Sequence, residues 1–240
     1  AYADVPAYPL DILGAESVGM IGYLVEQELT NALPTQTRLA TLLTQIEVNS
    51  DDPAFSHPEK PIGPVYDKAD ADHVRAEHDW ALIEESEGKW RRVVPSPRPQ
   101  RITQIEVIRL LVESGVVVIC AGGGGIPIIR NEQEEIEGVE AVIDKDRAAG
   151  LLAEELNADA FLMLTDVDAV YSNWGTPAQH PISRATPAEL STHKFASGSM
   201  GPKVEAACAF ASHPGRIAGI GRLEDAAALL SGQAGTVIKI

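Results

Sequence analysis

Two lysines stand where a cation is ordinarily unwelcome. Lys203 follows Gly198-Ser199-Met200-Gly201-Pro202 and falls in the first turn of a helix predicted to run through Ser212. The amino end of a helix carries partial positive charge, so an ammonium there is disfavoured on its own. A bound anion reverses the sign, because the same amides and their glycine approach bind phosphate. Lys145 raises the question independently, between Asp144 and Asp146 at the mouth of a helix predicted over Arg147–Leu156. The flanking aspartates would orient its ammonium. The plain alternatives are a solvated lysine beside a Gly-Pro turn and a simple solvated cap.

Other residue types suit the same chemistry. Gly122 to Gly125 follow the apolar run Val116–Cys120 and permit positive φ and close approach, for a ligand or for a turn. Asp166 and Asp168 end a second apolar run, Ala160–Leu164, where they meet a nucleotide or shape a turn. Lys60, in Lys60-Pro61-Ile62-Gly63-Pro64, reads by itself as a loop lysine.

These groups need a scaffold. Buried strand, glycine loop, helix and buried strand, in that order from Val116 to Leu164, describe a parallel α/β sheet. Ligands sit beyond the carboxyl ends of such strands, where the glycines, Lys145 and the aspartates fall. Upstream, Ala1–Pro9 is expected to be extended. Leu10–Leu33 reads as a helix with Leu13, Met20, Ile21, Leu24, Val25 and Leu29 on its apolar face. Its glycines, Gly14, Gly19 and Gly22, suggest close approach of a neighbouring backbone, such as a partner helix. Leu39–Val48 is expected to be one strand. Between Asn49 and Gln100 prolines and two tryptophans cluster and long apolar runs are absent. A hairpin turning at Ser86–Lys89 and a short helix over 67–77 are expected there, in a lobe inserted into or projecting from the main domain. Thr103 and Glu106 have capping-box spacing, and Thr186-Pro187-Ala188-Glu189 gives another cap. A strand over 216–220, a short helix over 224–230 and a last strand over 236–239 complete the chain.

Composition narrows the class. With 240 residues, 45% of them hydrophobic, the chain can bury a sizeable core. Two cysteines in apolar stretches read as buried free thiols, and a reducing cytosol is the expected compartment. No apolar run is long enough for a bilayer. A net charge of −16 argues against nucleic acid, whose binding rests on phosphate neutralisation. A Walker motif, a kinase catalytic loop, a G-x-G-x-x-G after a strand, zinc spacing and a G-x-S-x-G elbow are all absent. Helix-mouth lysines without a P-loop point to phosphoryl transfer by charge clamping.

At these residues the chain resembles the carbamate kinases, a branch of the amino acid kinase family. The matching phrases are 8–16 (YPLDILGAE), 19–23 (GMIGY), 60–64 (KPIGP), 91–97 (RRVVPSP), 121–127, 142–146, 165–171 and 198–205. The resemblance implies a three-layer α/β/α sandwich with a mainly parallel open sheet, one domain over 1–240 with a projecting subdomain over roughly 49–99, and a homodimer. It implies reversible phosphoryl transfer between ATP and carbamate, often run toward ATP in arginine fermentation in the cytoplasm. Lys145 and Lys203 would stabilise the transferring phosphoryl group and Asp146 would hold those lysines. Lys60 would reach toward carbamoyl phosphate, with Gly122, Gly123 and Gly124 also at the substrate. Thr165, Asp166, Asp168, Tyr171, Met200 and Gly201 would lie at ATP or ADP. Magnesium would be held through the nucleotide phosphates rather than by protein ligands. The family's opening Gly-Gly-Asn loop and its Asn-Gly-Pro-Gln-Val-Gly loop have no counterpart in these residues. The expectation is therefore an incomplete front, and the alternative is a nucleotide-binding remnant without activity.

Overall fold

The computed structural model describes residues 8–78, 80–196 and 198–240; the extended start expected over Ala1–Pro9 lies, through residue 7, outside them. The chain divides into two compact units, Ala1–Lys145 and Asp146–Ile240. The first contains α1 (Leu10–Ala32), β1 (Arg38–Leu42), β2 (Gln45–Val48), β3 (Lys60–Tyr66) and α2 (Lys68–His78). It continues with β4 (Leu82–Ser86), β5 (Lys89–Val94), β6 (Pro99–Ile102), α3 (Ile105–Glu113), β7 (Val116–Cys120), β8 (Ile126–Arg130) and β9 (Ile136–Gly138). α4 (Lys145–Glu155) opens at the boundary. The second unit then holds β10 (Ala160–Thr165), β11 (Val170–Ser172), β12 (His180–Ile182), β13 (Arg184–Ala185) and α5 (Pro187–Leu190). It ends with α6 (Met200–Ala211), β14 (Ile217–Arg222), α7 (Ala226–Leu230) and β15 (Thr236–Ile238).

In the first unit β1 and β7 pair in parallel. A second sheet runs β6-β2-β8-β9, its β2–β8 pairing parallel and its flanking pairings antiparallel. A third, β3-β5-β4, is antiparallel and carries the expected hairpin, with Ser86 opposite Lys89. In the second unit the sheet order is β10-β14-β15-β13, with β10–β14 and β13–β15 parallel. The α/β character expected from the order of elements is what both units have.

Several local expectations are corrected. Residues 39–48 form two strands in two sheets, not one. The break is at Thr44, fully buried, whose hydroxyl donates to the Leu42 carbonyl at 3.0 Å and accepts from the Ala121 amide at 2.8 Å. The capping box at Thr103 does not form. α3 begins after Gln104, which makes no side-chain cap. The Gln104 amide is engaged with Gln45 instead, accepting its backbone N–H at 2.8 Å. The second capping box, Thr186 with Glu189, is present.

α1 turns only part of the expected face inward, with Leu13, Ile21 and Leu29 half-buried. Leu10, Val18 and Gly22 are buried, whereas Met20, Leu24 and Val25 are exposed. The inner row keeps the i, i+4 spacing of one helix face. Its glycines meet a strand and a loop rather than a partner helix: a Cβ on Gly22 would stand 2.3 Å from Thr41 Cγ2, and Gly14 lies near the Gly125 carbonyl. The β7 strand is not fully buried, since Val117 is exposed, and Leu164 near the end of β10 is exposed too.

The second unit has a continuous core. Phe161, Met163, Val170, Phe210, Ile220 and Ile238 pack together, with Phe161 and Phe210 edge to face at 5.7 Å. Each such side chain contributes about 1.5–3 kcal/mol on burial. α4 meets α6 closely, because a Cβ on Gly150 would stand 3.3 Å from that of Ala206.

Candidate active site

In the first unit Lys60 is not a loop residue. It opens β3 opposite Val94 of β5, and the next residue of that strand's path, Pro95, accepts the Val142 amide at 2.9 Å. The end of β5 therefore brings Lys60 and the segment before α4 together. Lys60 Nζ donates to Asp144 Oδ2 at 2.6 Å. The carboxylate is buried and the lysine partly exposed. Sequence spacing had no means of pairing two residues 84 positions apart.

The glycine run is packed against protein. Ala121, Gly122, Gly124 and Gly125 all have positive φ, and the Gly124 and Gly125 amides both donate to the Ala121 carbonyl. A Cβ on Gly122 would stand 2.9 Å from Val18 Cα, one on Gly124 2.2 Å from the Ile143 carbonyl, and one on Gly125 2.6 Å from Ile46. Gly123 differs, with nothing nearer than 3.8 Å. Glycine is thus required at three positions by the fold, and Gly123 alone is open. Lys145, between buried Asp144 and Asp146, is exposed at the start of α4.

In the second unit Asp146 and Lys203 form a bidentate pair, Nζ donating to Oδ1 at 2.9 Å and Oδ2 at 2.8 Å. Both side chains are nearly buried, 9% and 12% exposed. Lys203 is the fourth residue of α6, one turn from its mouth. Gly201 is required there, since a Cβ would stand 2.9 Å from the Ala196 carbonyl, which also accepts the Gly201 amide. A fixed, desolvated ammonium beside a helix mouth is a preformed anion stabiliser.

Beyond the carboxyl ends of β10 and β14 lies a cavity of about 700 Å³, lined by Leu164, Thr165, Asp166, Arg222, Leu223, Glu224 and Asp225. Its position is the one expected for ligands of parallel sheets. Two leucines give it apolar wall, and three carboxylates, an arginine and Thr165 line the rest. Thr165 donates to Asp166 at 3.0 Å. Tyr171 donates to Asp168 at 2.9 Å, and this bond to a carboxylate, with smaller contributions from burial and the charge of Asp168, pushes the phenol above its ordinary range. Arg222, Glu224 and Asp225 escaped the sequence reading; their position after an apolar strand was the available signal. Among the described residues no group of three or more His, Cys, Asp or Glu is placed to hold a metal ion.

Comparison with known proteins identifies the family. The amino acid kinase family pattern matches residues 39–219. The carbamate kinase of Haemophilus influenzae is 53% identical over 238 residues, covering 99% of this chain and 76% of that protein. That of Escherichia coli K12 is 49% identical, covering 100% and 79%. Among solved structures, the carbamate kinase from Giardia lamblia bound to AMP-PNP superposes with a TM-score of 0.88 at 39% identity, covering 100% of this chain and 78% of that one.

Proposed function

The chain belongs to the amino acid kinase family, in its carbamate kinase branch, and on that premise we propose that it interconverts ATP and carbamate with ADP and carbamoyl phosphate. The observation that carries the proposal is the buried Asp146–Lys203 pair at the head of α6. An oxygen of the carbamate carboxylate attacks the γ-phosphorus while the bond to the bridging oxygen of ADP breaks. The nucleophile is already an anion, so the reaction asks for charge stabilisation and alignment rather than a general base. Lys203 and Lys145 supply that charge, and Asp146 fixes the Lys203 ammonium. Lys60, set on β3, meets the anionic end of carbamoyl phosphate, and Gly123, open where the other glycines of the run are packed, also faces the substrate.

The nucleotide occupies the cavity of the second unit, with Thr165 and Asp166 in its wall; on the family resemblance Asp168, Tyr171, Met200 and Gly201 also contact it. Magnesium would be held through the nucleotide phosphates, where it neutralises charge. The reading also includes a projecting subdomain over roughly 49–99, built on β3-β5-β4 and carrying Lys60, and a homodimer. Exposed Met20, Tyr23 and Leu24 on α1 support the dimer. Among the described residues no helix is long and apolar enough to cross a membrane. We place the reaction in the cytoplasm, in arginine breakdown, on the family resemblance. The deciding experiment is formation of ATP from ADP and carbamoyl phosphate, with Mg-ADP titration alongside. Saturable ADP binding without turnover would instead leave a nucleotide-binding remnant.

A further inference from the structure

A second ion pair joins the helices that carry Asp146 and Lys203. Arg147, the next residue of α4, donates from Nη2 to Glu205 Oε2 of α6 at 3.1 Å. The two pairs sit at different depths. Asp146 and Lys203 are 9% and 12% exposed, whereas Arg147 and Glu205 are 28% and 40% exposed.

The head of α6 is held by the Lys203–Asp146 pair and by the Gly201 amide on the Ala196 carbonyl. Its N-cap, Ser199, makes no side-chain cap bond and has φ −140° and ψ −82°. Its third residue is Pro202, which has no amide to donate. Further along, Gly150 against Ala206 fixes the distance between the helices. That contact sets the spacing of the two helices three residues beyond Lys203. Arg147 and Glu205 add a second cross-link between the same two helices, one residue from Asp146 and two from Lys203.

Magnitudes separate what such a pair is for. A half-exposed ion pair contributes only about 0–1 kcal/mol to stability. Misplacing a catalytic group by ~1 Å costs on the order of 100-fold in rate. We infer that Arg147 and Glu205 are positioning residues, which hold the first turn of α6 so that the Lys203 ammonium stays aligned with the transferring phosphoryl group. The inference rests on the reading of Lys203 given above, and deepens it.

The test uses the whole chain with Glu205→Gln, Arg147→Lys and the exchange R147E/E205R. Glu205→Gln is expected to lower kcat about tenfold or more while KM for ADP stays within about twofold. The melting temperature should move by no more than about 4 °C, the shift of ~1 kcal/mol for a chain of this size. Acetylation of Lys203 by a small anhydride, followed by mass spectrometry against Lys89 as internal reference, should rise in Glu205→Gln. The exchange variant should recover part of both losses. Unchanged kcat with unchanged Lys203 labelling would reduce the pair to an ordinary surface bridge. So would a loss of kcat that follows global destabilisation without selective labelling. If the wild type shows no turnover, the phosphotransfer reading falls and the labelling alone decides the positioning inference. If Glu205→Gln does not fold, Arg147→Lys, which keeps the charge but loses the planar fork, is judged by the same measurements.

Discussion

Lys60 and Asp144 lie 84 residues apart in the chain and 2.6 Å apart in space, so the lysine of the small antiparallel sheet is fixed to the segment that leads into α4. Lys60→Met removes the ammonium from a buried carboxylate. A hydrogen bond to a charged group is worth about 1.5–3 kcal/mol, and partial exposure of the lysine argues for the lower end. Urea unfolding should show the midpoint falling accordingly. In the transfer assay the same variant should raise KM for carbamoyl phosphate more than KM for ADP. An equal effect on both would remove Lys60 from the substrate.

Lys203→Ala should be costly twice. Breaking a nearly buried pair destabilises by about 3–5 kcal/mol, and loss of an oriented charge donor lowers kcat by roughly 100–1,000-fold. Lys203→Arg keeps the charge but not the shape of the site. It should recover stability in calorimetry more fully than it recovers turnover. Turnover within about twofold of wild type in Lys203→Ala would overturn the proposed role, since a true transition-state contact cannot be that cheap.

The glycine run gives a paired prediction. Gly124→Ala meets the Ile143 carbonyl at 2.2 Å with φ +143°, so it should fold poorly or lose several kcal/mol. Gly123→Ala meets nothing nearer than 3.8 Å and should keep its melting temperature. Any rise in KM for carbamoyl phosphate in Gly123→Ala then reports on ligand approach rather than on folding.

Burial pushes the Cys120 thiol from its ordinary 9.0 up to about 11. Because the folded value is the higher one, its contribution to stability is present below 9.0 and is lost as pH climbs through about 11. The slope is that of a group losing its proton earlier in the unfolded chain. Alkylation of Cys120 in the native protein should therefore be slow at pH 8 and reach half its maximal rate near pH 11. A half-point near the ordinary value would show the thiol to be accessible, and Cys120→Ala should flatten the alkaline fall in stability.

Much of the scaffold was legible because it rests on local signals. The alternating types around Ser86–Lys89, the cap at Thr186 and the glycine approach to Lys203 each carry their instruction within a few residues. What was not legible depends on partners far away. Nothing near Gln104 says that its amide will serve Gln45 and not its own helix. The helix over 10–32 has more apolar residues than one face can bury, and only the depth of Thr41 and the glycine loop decides that the small residues go inward. Lys60 was visible only by resemblance, because its meaning lies in Asp144. Lys203 announced itself as a cation in the wrong place; that its holder is Asp146 was implied by the resemblance and not by spacing, and the fold supplies the two bonds.

Thr44 shows what a hydrophobicity alphabet leaves unsaid. Valine has nearly the same outline, and a sequence scored by apolar periodicity would accept it there. The hydroxyl, however, is the acceptor for the Ala121 amide and the donor to Leu42. It converts one continuous greasy word into two, spoken by different sheets. A lineage that drifted from threonine to valine at this position would keep its composition and lose its punctuation.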